Sequence, residues 1–140
     1  MKNLRVNLAL LILIFTFSSC ASGTKFSTSE IVPAARGTVK VKNDNNKNNV
    51  IKIKLYYLAE PERLQPSRKY YVVWMETEDD YTKNIGQIKS SEDFLTKSLT
   101  AKFKTVSSFK PAKIYLTAED DANIQSPSKK IIISTEYFKK

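Results

Sequence analysis

The chain contains no histidine and a single cysteine in 140 residues. Without histidine, the commonest general base and the commonest metal ligand are both missing. One cysteine excludes an internal disulfide and any cysteine-built zinc or iron–sulfur site. Ser-His-Asp, Cys-His and histidine–metal catalysis are therefore excluded by counting. There are only three glycines, and no Gly-rich phosphate loop or Ser nucleophile motif is found. No internal repeat is present. The composition, with 41% hydrophobic and 26% charged residues, suits one folded domain and leaves no room for two.

The N-terminus reads as an export signal. Lys2 and Arg5 supply a positive start, Leu8 to Phe17 an apolar run, and Ser18-Ser19 small residues before Cys20. A membrane-spanning helix needs about 20 apolar residues, so this run is too short to span. Positive start, short apolar run and small residues are the order of a secretory signal.

Ser18-Ser19-Cys20 resembles the lipobox of bacterial lipoproteins, with Phe17 where that family prefers Leu. The abundance of Lys, Asn and Ile is similar to that of Bacteroidota-type lipoproteins. The resemblance implies a diacylglycerol on the Cys20 thiol and cleavage just before it. It also implies enough acyl chains for a stable membrane anchor, since one chain alone is marginal. Ala21 in place of Asp implies the outer membrane. The lack of acidic residues in Ala21-Ser22-Gly23-Thr24-Lys25 implies its periplasmic side. The expected organisation is a signal peptide over 1–19, a lipidated Cys and flexible tether over 20–30, and one domain over 31–140. Cleavage removes Lys2 and Arg5 from the 23 basic residues, leaving 21 against 14 acidic ones, a net charge of +7. Export makes nucleic acid the wrong partner for that charge, so an anionic envelope surface is expected instead.

From residue 38 onward the pattern has period two. Thr38 to Lys42 and Val50 to Leu58 alternate around an Asn/Asp-rich turn, which predicts a β-hairpin. Ile51, Ile53, Leu55 and Tyr57 share one predicted face, and Lys52 and Lys54 the other. Lys69 to Glu76 has no central polar alternation, as expected of a strand buried on both faces. Further strands are predicted at Ile85–Lys89, 98–106 (with Lys102 and Lys104 alternating against Leu99, Ala101 and Phe103), Lys113–Ala118 and Lys130–Thr135. At most one helical turn is expected, through Phe94 and Leu95. About seven short strands predict an all-β fold, an immunoglobulin-like antiparallel β-sandwich, with a barrel as the alternative. Few glycines argue against tight barrel corners. Trp74 is expected in the core, as on the central strand of such sandwiches.

Tyr71-Val72-Val73-Trp74-Met75, Ile85-Gly86-Gln87-Ile88, Leu116-Thr117-Ala118-Glu119 and Pro127 give residues 70–135 a distant resemblance to the extracytoplasmic domain of anti-sigma-K-type factors. That resemblance implies a β-sandwich and a sensory or interaction module. The cytoplasmic sigma-binding domain and spanning helix of those factors have no counterpart in this chain.

Three sets of residues are candidates for function. Glu76, Glu78, Asp79 and Asp80 form one acidic cluster, and Glu119, Asp120 and Asp121 another. If the two lay at the same end of the sandwich they could offer oxygen ligands to Ca²⁺ or to a small ligand, although the order is not that of an EF-hand. A glycosidase-type carboxylate pair needs two acids within about 10 Å. Lys40, Lys42, Lys52 and Lys54 could form one basic sheet face for an anionic polymer. The seven tyrosines suit sheet surfaces or interfaces. The expectation is a non-enzymatic envelope lipoprotein without a cofactor, partnered by the membrane through Cys20 and by an envelope protein or anionic polymer. A Ca²⁺- or ligand-binding periplasmic module is the alternative.

Overall fold

A computed structural model describes residues 23–92 and 98–139. Cys20, the apolar run before it, and the turn expected through Phe94 and Leu95 lie outside the described residues. Among the described residues nine strands are seen: β1 (Thr24–Lys25), β2 (Arg36–Asn43), β3 (Asn49–Tyr56), β4 (Tyr70–Thr77), β5 (Thr82–Ile88), β6 (Ser90–Glu92), β7 (Leu99–Ser107), β8 (Pro111–Glu119) and β9 (Ile131–Ser134). They form two antiparallel sheets, ordered β1-β2-β3-β7-β6 and β5-β4-β8-β9. Apart from β1, this is the two-sheet order of an immunoglobulin-like sandwich, in which β2, β3, β7 and β6 face β5, β4, β8 and β9. Among the described residues no helix is long and apolar enough to cross a membrane.

The seven predicted strands are all present, and β1 and β6 are additional. β6 follows β5 after only Lys89 but pairs with β7 in the other sheet, so one run of chain switches sheets. The lower end of the sandwich carries the β2–β3 tip (44–48), the β4–β5 turn (78–81) and the β7–β8 turn (108–110). The upper end carries the start of β4 and the end of β8.

Alternation places Ile51, Ile53 and Leu55 of β3 inside against Tyr71, Val73 and Met75 of β4 and Ile114 and Leu116 of β8. Burying each such side chain contributes about 1.5–3 kcal/mol. The expected inward place of Tyr57 is corrected by its backbone. A φ of 57° ends the strand, Tyr57 is exposed, and Leu58 turns into the core instead.

β4 is buried on both faces, as expected, but Trp74 does not enter the inter-sheet core. With Val72 it faces outward and packs with Tyr115 and Ile124 in a second small cluster. The loop after β8 covers that cluster. The Asn84 side-chain amide holds this loop by donating to the carbonyls of Ala122 and Ile124, each at 2.9 Å. The Trp74 indole N–H donates to Thr117 Oγ1 at 2.8 Å. A buried indole N–H needs such a partner.

The segment expected as tether is corrected at its domain end. Thr24 and Lys25 pair with Val39 and Thr38 as β1, and Phe26 is buried and bridges to Thr135. Ser29 is also buried. Its hydroxyl donates to the Ile132 carbonyl and accepts from the amides of Ile31 and Val32. The sandwich therefore includes residues 24–30, which the expected tether covered, because one aromatic and one turn-forming serine dock an otherwise small, polar segment.

Candidate functional site

The two acidic clusters are not brought together. β4 and β8 run antiparallel, with Glu119 opposite Tyr70 and Pro111 opposite Thr77. Glu119, Asp120 and Asp121 thus lie at the upper end, whereas Glu76, Glu78, Asp79 and Asp80 lie at the lower end. The seven-residue rise between Tyr70 and Thr77 is roughly 24 Å at ~3.4 Å per residue. That exceeds any catalytic carboxylate pair by more than twofold. The shared Ca²⁺ or ligand site and the carboxylate pair, both of which required one end, are corrected accordingly. Among the described residues no group of three or more Asp, Glu, His or Cys side chains is arranged to hold a metal.

Most of these carboxylates have local structural partners. Glu119 Oε1 accepts the Ser128 amide at 2.9 Å, and Asp121 Oδ1 accepts that of Asn123 at 2.9 Å. Asp120 pairs with Arg68 at 2.7 Å, and Glu78 with Lys110 at 2.8 Å. Glu76 accepts the Tyr137 hydroxyl at 2.8 Å, a bond that holds the phenol pKa above its ordinary value. Asp80 sits in a left-handed turn with φ 62°. Asp79 and Asp80 have no ion-pair partner among the described residues.

The basic face forms, and it is larger than Lys40, Lys42, Lys52 and Lys54. β3 lies between β2 and β7, with Lys52 directly opposite both Lys40 and Lys104, and Lys54 opposite Lys102 and Thr38. Because Ile51, Ile53 and Leu55 point inward, these lysines all point outward. Lys25, opposite Thr38, and Arg36, opposite Tyr56, lie in the same outer set. The face therefore presents eight cations: Lys25, Arg36, Lys40, Lys42, Lys52, Lys54, Lys102 and Lys104. Its other outward positions on these strands are Thr38, Val50, Tyr56, Thr100, Val106 and Ser91, so no carboxylate interrupts it among the described residues. None of the eight takes part in an ion pair among the described residues.

Three like-charged pairs stand directly opposite across this sheet, Lys40–Lys52, Lys52–Lys104 and Lys54–Lys102. Such pairs are destabilising, where opposite charges would stabilise by about 0.2–1 kcal/mol each. A shallow depression of about 640 Å³ lies among Lys40, Lys52, Lys54, Lys102 and Lys104, with Tyr56 in its wall. The Lys54 ammonium sits 4.9 Å from the Tyr56 ring centre. Ammonium groups on long stems are mobile point charges that can follow an extended polyanion rather than one rigid anion.

The hairpin that carries five of these eight cations is fixed at its tip. Asp44 Oδ1 accepts the backbone amides of Asn48 and Asn46 at 2.9 and 2.8 Å. The Asn48 bond is the larger cause holding the Asp44 carboxyl below its ordinary pKa. Sequence reasoning missed Lys25, Arg36, Lys102 and Lys104 as members of the face. The alternation of Lys102 and Lys104 was legible, but their placement beside β3 depends on a pairing about 50 residues distant.

No family model matches this chain, and neither a curated protein nor a solved structure matches it.

Proposed function

We propose that the chain is a non-enzymatic envelope lipoprotein, anchored through Cys20, whose sandwich binds an anionic envelope polymer on the lysine face of β2, β3 and β7. The observation that carries this reading is the set of eight outward cations with no carboxylate among them in the described residues. A face built only to stay soluble does not need like charges directly opposite one another, since mixed signs serve solubility at lower cost. An anionic partner relieves that repulsion, so binding and stability are coupled. Field lines from one sign of charge also speed the encounter with an extended polyanion. The partner is a polymer of carboxylates or phosphates, consistent with the sensory or interaction module that the resemblance to anti-sigma-K-type domains implies.

The test has two arms. Growing cells are labelled with an alkyne fatty acid, and label is expected in wild type but not in Cys20→Ala. The purified chain is then co-sedimented with isolated anionic cell-wall polymer at low and high salt. Lys52→Glu/Lys104→Glu is expected to lose at least tenfold in affinity, and salt to weaken wild-type binding. Equal retention of wild type and variant would refute the lysine face as the site.

A further inference from the structure

The lower end of the sandwich has a different surface from the lysine face. Eight large hydrophobic side chains are exposed among the described residues, and three of them, all aromatic (Tyr81, Phe109 and Tyr137), belong to this end. Tyr81 and Tyr137 are the most exposed, at 62% and 63%. They come from three separate pieces of chain, the β4–β5 turn, the β7–β8 turn and the segment after β9, which the antiparallel topology brings to one end. Two rings carry lysines against them. The Lys83 ammonium lies 4.1 Å from the Phe109 ring centre, and that of Lys113 lies 5.1 Å from Tyr137. Amphipathic rings flanked by long-stemmed cations suit a membrane–water interface, where the ring meets the acyl boundary and the charge reaches back to the headgroups.

The described chain also starts toward this end. β1 runs antiparallel to β2, with Thr24 opposite Val39, and a side chain on Gly23 would meet Lys40. β1 therefore runs away from the side of Lys42 and Asn43, which is the lower end, and its first residues face that end. Only three residue steps separate Cys20 from Gly23, a reach of at most about 11 Å. Gly23 and Tyr137 line one groove with Lys42 and Phe138. An anchor at Cys20 keeps Gly23, which lines that groove, within about 11 Å of the residue that carries the lipid.

From the exposed rings and the direction of β1 together, we infer that the lower end seats on the bilayer that holds the Cys20 lipid. This inference rests on the anchor reading given above. The carboxylates of this end (Asp44, Glu76, Glu78, Asp79, Asp80 and Glu136) nearly balance its lysines (Lys47, Lys83, Lys110, Lys113 and Lys139). The surface it fits is therefore a zwitterionic one, not a strongly anionic one. Weak contacts suffice, because the anchor makes docking intramolecular. Seated in this way, the sandwich stands upright. The lysine face then rises from the membrane toward a polymer rather than lying on headgroups.

The test places reporter tryptophans at the two surfaces. Tyr137→Trp and, independently, Tyr81→Trp mark the lower end, and Tyr56→Trp marks the lysine face; the native Trp74 is buried in all three. The chain purified from membranes is reconstituted into phosphatidylcholine–phosphatidylethanolamine vesicles with or without brominated acyl chains. The end reporters are expected to lose roughly half of their added emission while Tyr56→Trp keeps its own. Quenching of Tyr56→Trp at or above the level of the end reporters, or no quenching of either end reporter, would overturn the inference. Fatty-acid labelling of the same preparation separates the two readings. A labelled chain without end quenching keeps the anchor and removes the docking end. An unlabelled chain with end quenching removes the anchor and keeps the end's affinity for lipid.

Discussion

Replacing Lys52 with glutamate should make the sandwich more stable and its proposed activity weaker. Lys52 is central on the face, directly opposite Lys40 on one side and Lys104 on the other. Neighbouring strands are ~4.8 Å apart, and at ~7 Å between the flexible charged ends two unit charges in water interact by about 0.6 kcal/mol. The substitution turns two repulsions into two attractions, four such terms, or about 2 kcal/mol before side-chain entropy. Cross-strand pairs realise only part of this, so about 1–2 kcal/mol remains. For a domain of this size that is roughly 3–8 °C in Tm. Thermal unfolding followed by circular dichroism should show the gain at 10 mM salt and its near disappearance at 1 M, where the Debye length falls to about 3 Å. A soluble polyanion should raise the wild-type Tm more than that of Lys52→Glu. A variant that melts at or below wild type in low salt would refute the reasoning, because the opposed lysines would then carry no repulsion.

Three further outcomes follow from the packing. Thr117→Val orphans the buried Trp74 indole N–H and should cost about 1–3 kcal/mol in denaturant unfolding; Trp74→Phe/Thr117→Val should cost less than the two single changes combined. Gly86 has φ 133°, and an added Cβ would lie 2.9 Å from the Phe103 ring, so Gly86→Ala should lower stability by about 1–3 kcal/mol in the same assay. The buried Tyr71 hydroxyl donates to the Ala59 carbonyl at 2.8 Å, and burial raises its pKa well above the ordinary tyrosine value. A folded-state pKa above the unfolded one contributes stability that is complete below about pH 10 and is lost as pH rises beyond it. Tm should therefore fall above pH 10, with less fall in Tyr71→Phe, and absorbance at 295 nm should show one tyrosine ionising only on unfolding.

Much of the fold was legible because its signals are local. The alternation of β2 and β3 around Asp44, the doubly apolar β4 and the Ile-rich β9 each announce a strand within ten residues. The N-terminal strand was not legible, since Thr24-Lys25-Phe26-Ser27 has the composition of a linker. Only the long-range pairing with β2 and the burial of Phe26 give it structure. Trp74 was legible as buried but not by which face, because a run with no polar alternation does not say which side looks inward. That face is decided by the loop from residue 120 onward, which Asn84 holds over it. The acidic clusters misled for a related reason. Each ends a strand, and whether two strand ends are neighbours depends on direction, which composition does not encode. The lysine face was half visible, through two adjacent strands of a hairpin. Its other half required knowing that β7, with Lys102 and Lys104, returns beside β3, that Lys25 pairs beside β2, and that β2 starts as early as Arg36.

Amide chemical-shift mapping by NMR, with a soluble polyanion added in steps, tests the lysine face most directly. The account predicts shifts concentrated on β2, β3 and β7, centred on Lys40, Lys52 and Lys104 and reversed by 0.5 M salt. Shifts confined to residues 78–80 or 119–121, or none anywhere, would contradict it.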